Sequence, residues 1–138
     1  MKFTVALVAA VCAVPAVLAG QYKVTYDTIY DNANDSVDNV ACSGTLSGKG
    51  YTTFGSLPDF PYIGGAFAVT GYDSPGCGTC WELTYNGTSI NIFAIDTAAE
   101  GFNIAEEALN ALTHGNAVQD GYVYAAATQV DVSACGGY

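Results

Sequence analysis

The sequence predicts a small, mainly β domain closed as a barrel, and three observations predict it. Alternating apolar runs bounded by glycine-rich turns recur along the chain. Asn86-Gly87 joins two of these runs as a tight hairpin turn would. Only one stretch, residues 103–115, carries a convincing helical pattern, too little helix to cover a parallel sheet on both faces.

The elements follow in order. Residues 23–27 alternate, with Val24 and Tyr26 on one face. A polar loop, 31–39, leads to a helical turn near 36–41. Residues 51–54 form a short β-prone run, and Pro58 and Pro61 make 57–63 a loop or an edge. Gly64-Gly65 reads as a turn and 66–72 as the next strand. Residues 81–85 and 88–96 are the hairpin arms. The second arm is apolar on both faces, with Ile90, Ile92 and Ala94 on one and Phe93 and Ile95 on the other, as for a strand buried on both sides. Asn103 with Glu106 three residues later reads as a capping box. Ile104, Ala108, Leu109 and Leu112 give the apolar stripe of that helix, and Gly115 stops it. Residues 122–132 form the last strand.

The N-terminus reads as a secretory leader. Lys2 precedes an uncharged apolar stretch, and Val17-Leu18-Ala19 offers small residues at the cleavage positions. The division is therefore a signal peptide, 1–19, and one domain, 20–138. Cys12 departs with the leader. Cys42, Cys77, Cys80 and Cys135 remain, an even set in an oxidising context, with three pairings open. Beyond the leader, thirteen acids face two bases, Lys23 and Lys49, and there is no Arg. Such a chain repels phosphate backbones and anionic membranes, so neither nucleic acid nor membrane insertion is expected. A neutral polysaccharide meets no such penalty.

Several residues are candidates for chemistry. Cys77-Gly78-Thr79-Cys80 has the spacing of a redox pair or half a zinc site, but a strand follows it, and the leader favours structural bridges. No metal or cofactor is expected. His114, the lone histidine, falls at the helix C-terminus, where capping competes with catalysis. Asp96 ends the most apolar strand. Partial desolvation there suits a general acid, while an Asx turn into the next loop is the equal alternative. Ten tyrosines suit sugar rings, which pair apolar faces with hydroxyl edges. Asn34 and Asn86 head glycosylation sequons.

These residues carry a strong resemblance to the cerato-platanin family of small secreted fungal proteins. The matching stretches include Val24-Thr25-Tyr26-Asp27, Val40-Ala41-Cys42-Ser43, Phe54-Gly55-Ser56-Leu57-Pro58 and Ile63-Gly64-Gly65. The most specific block is Ser74-Pro75-Gly76-Cys77-Gly78-Thr79-Cys80-Trp81, followed by Tyr85-Asn86-Gly87, Ala94-Ile95-Asp96 and Gly101-Phe102-Asn103-Ile104. The resemblance implies a six-stranded double-psi β-barrel, expansin- and barwin-like and similar to family-45 endoglucanases. It implies bridges Cys42–Cys77 and Cys80–Cys135. It also implies a shallow groove holding Asp96 and Asn103, with Tyr26 and Asp27 nearby. Ala94 stands two before Asp96, so the expansin-type histidine-phenylalanine-aspartate pattern is absent.

The expected function is a non-enzymatic one, outside the cell or in the fungal wall. The chain would bind chitin-type or cellulose-type polysaccharide, loosen wall contacts and elicit defence at a plant host surface. A weak endoglycosidase and a self-assembling surface-active protein are the competing expectations.

Overall fold

In the computed structural model, residues 20–137 are described. The leader prediction lies outside them. Six strands close into a barrel: β1 (Gln21–Tyr26), β2 (Ile63–Ala66), β3 (Cys80–Tyr85), β4 (Thr88–Thr97), β5 (Phe102–Ile104) and β6 (Tyr122–Val130). Around the barrel the order is β1-β5-β2-β4-β3-β6, and β6 returns to β1. Two pairs, β1 with β5 and β2 with β4, are parallel, and the rest are antiparallel. Three short helices pack outside: α1 (Ser43–Gly48), α2 (Glu106–Thr113) and α3 (Ala117–Asp120). Among the described residues no helix is long and apolar enough to cross a membrane.

The hairpin forms where the sequence places it. Asn86 and Gly87 take φ of 46° and 78°, so both central residues are left-handed, as a type I′ turn requires. Ile92, Phe93, Ala94 and Ile95 are all buried. One side of β4 faces the barrel interior, and the other is covered by the outer helices and loops.

The fold departs from the sequence expectation at three places. Gly64-Gly65 is no turn, and 66–72 is no strand. The glycines lie within β2, and the chain leaves the sheet at Ala66. A Cβ on Gly64 would collide with the Asn103 carbonyl oxygen and stand 2.6 Å from the Ile104 Cα. These glycines therefore serve close strand approach rather than chain reversal. The run 51–54 likewise forms no named strand. Thr53 makes one isolated bridge to Ser36, and Phe54–Ser56 is a 3-10 turn.

The interior is aliphatic and aromatic. Val24, Leu83, Ile92, Phe102 and Ile104 are fully buried. Phe67 stacks on Tyr22 at 4.7 Å and meets Trp81 and Phe102 edge to face at 5.3 and 5.8 Å. Disulfides join Cys42 to Cys77 and Cys80 to Cys135. The first ties the segment before α1 to the loop leading into β3. The second ties β3 to the C-terminal turn.

Candidate functional site

The helix predicted from residue 103 starts later, and the difference moves Asn103 into the site. Asn103 belongs to β5, between the buried Phe102 and Ile104, so its side chain points out of the barrel. It caps no helix. The first amides of α2 are held from elsewhere in the chain: Asp31 accepts from the backbone N–H groups of Glu106 and Glu107 at 2.8 and 2.9 Å. With the cap supplied from outside, Asn103 is left to face solvent. Its Oδ1 accepts from the Thr25 hydroxyl at 2.8 Å.

The sheet register builds a row around Asn103. Thr25 pairs with Asn103, Asn103 with Gly65, and Gly65 with Asp96. A register shift between Gly64 and Gly65 skips Ile95 and brings Asp96 opposite Gly65. Bulges of this kind re-aim side chains beside functional surfaces. A Cβ on Gly65 would collide with the Thr97 carbonyl oxygen, so the chain leaving β4 folds down over that glycine. The result is an open hollow of about 400 Å³ lined by Lys23, Thr25, Asn103 and residues 97–100. Its polar groups are two hydroxyls, one amide, the Glu100 carboxylate and the Lys23 ammonium.

Asp96 shares the row but does not line the hollow. Its Oδ2 accepts from the Tyr30 hydroxyl at 2.9 Å, and its Oδ1 accepts from the amides of Ala41 and Thr97 at 3.1 and 2.9 Å. Both oxygens are thus acceptors for the fold itself. Burial, then the charge of Asp96, push the Tyr30 phenol well above its ordinary value, so Tyr30 remains a donor. Asp96 therefore secures the loop before α1 against the end of β4, and its bond to the Thr97 amide is a local turn contact.

Of the remaining candidates, Asp27 stands near the Asp96–Tyr30 pair, its charge adding to the upward push on the Tyr30 phenol, and the others lie elsewhere. Tyr26 shares the inward parity of Val24 and packs against the core. Asp27 caps the 3-10 turn Thr28–Asp31 by accepting from the Ile29 amide at 3.0 Å. His114 takes the left-handed C-cap position of α2 with φ 56°, and its Nε2 lies 2.9 Å from the Thr88 hydroxyl. Asn34 and Asn86 are exposed. Sequence reasoning did not single out Lys23, Thr25 or Glu100. Their signal lay in strand register, which one-dimensional alternation does not contain.

Residues 22–137 match the family model described as Cerato-platanin. Allergen Asp f 15 of Aspergillus fumigatus is 45% identical over 115 residues, which cover 82% of this chain and 76% of the allergen. The crystal structure of cerato-platanin 3 from M. perniciosa superposes with a TM-score of 0.81 at 42% identity, covering 86% of this chain and all of that one. The solution structure of the fungal elicitor Cerato-Platanin gives 0.73 at 39% identity, covering 82% and 95%. Matched across nearly the whole barrel in both sequence and fold, this chain belongs to the cerato-platanin family.

Proposed function

We propose that the chain is a secreted, non-hydrolytic carbohydrate-binding protein whose glycan groove centres on Asn103. The observation that carries this reading is the outward row of Thr25 and Asn103 beside an open polar hollow. Hydroxyl and amide groups on a shallow surface suit a neutral chain of sugar rings, and the acidic surface turns anionic polymers away. Exchange of glycan–glycan for glycan–protein hydrogen bonds would loosen wall polymers with no covalent step. Likeness to a protein described as a fungal elicitor supports an elicitor role.

The bonding of Asp96 favours binding over hydrolysis. Glycosidases of either stereochemistry need a proton-donating carboxyl paired with a second carboxylate. Asp96 accepts hydrogen bonds from the fold at both oxygens.

Calorimetric titration with N-acetylglucosamine and glucose oligomers tests the reading. Asn103→Ala is expected to weaken binding about ten-fold, in line with the loss of one or two hydrogen bonds. Unchanged binding would remove Asn103 from the site. Release of reducing sugar from chitin or cellulose, lost in Asp96→Asn, would establish the enzyme reading instead.

A further inference from the structure

The outward row does not end at Thr25. Across β1, Thr25 pairs with Tyr122 and Lys23 pairs with Tyr124, both on β6. Direct cross-strand partners share a face of the sheet. Tyr122, Thr25 and Asn103 therefore run side by side over three strands. Val123 and Ala125 point inward and are buried, whereas Tyr122 and Tyr124 are 47% and 55% exposed.

The two tyrosines are organised. Their rings meet edge to face, with centroids 5.8 Å apart. The Lys23 ammonium stands 4.4 Å over the Tyr122 ring. Lys23 also lines the Asn103 hollow, so one side chain borders both surfaces. With Tyr85, Val123 and Asp120, the tyrosines line a second open hollow of about 490 Å³.

We propose that this tyrosine hollow is a further carbohydrate subsite, continuous through Lys23 with the Asn103 hollow, and that it takes additional units of the same neutral glycan chain. The proposal rests on the glycan reading above and extends it. Aromatic rings held outward on a strand offer apolar faces with a hydroxyl at the rim, and a pyranose presents the matching pattern. The lysine covers one face of the Tyr122 ring and holds it, so stacking falls to the other face of that ring and to Tyr124. The Tyr85 hydroxyl and the Asp120 carboxylate supply hydrogen-bonding groups at the edge. Asp120, on a chain this acidic, excludes anionic sugars. Strands lie about 4.8 Å apart, so passing from β5 over β1 to β6 adds roughly 10 Å, the length of about two pyranose units.

The test is the length dependence of binding. N-acetylglucosamine oligomers from dimer to hexamer are titrated into the residue 20–138 protein, with near-UV circular dichroism confirming the fold of each variant. In the wild type, affinity is expected to rise about ten-fold from dimer to pentamer, the size of one aromatic stacking contact. Tyr122→Ala with Tyr124→Ala should abolish that rise and leave dimer binding unchanged. Tyr124→Phe should retain it, and Asn103→Ala should weaken every length. A double variant that keeps the full pentamer advantage would overturn the subsite and leave the Asn103 groove standing. If no oligomer of any length binds the wild type, the glycan reading fails and the subsite with it. A wild-type dimer in sedimentation that the double variant dissolves, with no change in length dependence, would make the tyrosine face a self-contact and overturn the proposal.

Discussion

Asp59 shows how one carboxyl can tie stability to pH without touching the groove. It sits in a separate hollow of about 280 Å³ with Tyr62, Ser89, Ile90, Asn91 and Ala134. Its Oδ2 is buried with no hydrogen-bond partner among the described residues. Burial pushes this carboxyl up from the usual 3.8 to about 7. In the unfolded chain it ionises near its ordinary value, while in the folded chain it keeps its proton to near neutrality. Its contribution is therefore fully present below about pH 4 and is lost as pH rises towards 7. Tyr62 is the only other titratable group lining the hollow. Urea denaturation at pH 4 and 7.5 should show Asp59→Asn gaining stability relative to wild type at the higher pH. An equal difference at both values would refute the assignment. Tyr30 and Asp96 show the opposite arrangement, in which each buried polar atom has a partner and the pair holds two segments together.

Both α1 and α2 draw caps from distant aspartates. Asp31 holds the first amides of α2, and Asp73 accepts from the Thr45 amide at 2.9 Å in the first turn of α1. Asp31→Ala is expected to cost about 1–2 kcal/mol, measurable as a lowered urea midpoint, with Asp31→Asn costing less because it keeps one acceptor. This arrangement also explains what the sequence made legible. The β3–β4 hairpin was readable because its determinants, Asn86 and Gly87, are adjacent. The apolar stripe of α2 was readable because it follows a local period. The start of α2 was not, because its cap comes from 75 residues earlier, and Asn103 offered a local substitute. Gly64-Gly65 resembled a turn because a glycine pair does not say whether it serves positive φ or close approach. Of the groove, Asn103 was visible through family resemblance. Thr25 and Lys23 became neighbours of Asn103 only once β1 paired with β5.

At the scale of the molecule, two disulfides fasten a barrel whose strands join distant parts of the chain. The loops they close span 35 and 55 residues. Chain-entropy arguments give each about 4 kcal/mol, so Cys→Ala replacement of either pair should lower the denaturation midpoint sharply. Losing both would remove most of the stability of a domain this size. Calorimetry of the two paired variants checks this. A loss below about 1 kcal/mol from either would show that the native bridge restrains little of the unfolded chain.

β1 lies between β5 and β6, so the first strand of the domain finds its neighbours only among residues 102–126. Both edges of β1 therefore stay unpaired in any chain that lacks residues 102–126. No stretch ending before residue 122 can close the barrel. A chain cut there keeps an open five-stranded sheet with β1 and β3 as bare edges, a shape prone to pairing with other chains. Closure therefore requires β6, which joins the two ends of the domain and places Tyr122 beside Thr25.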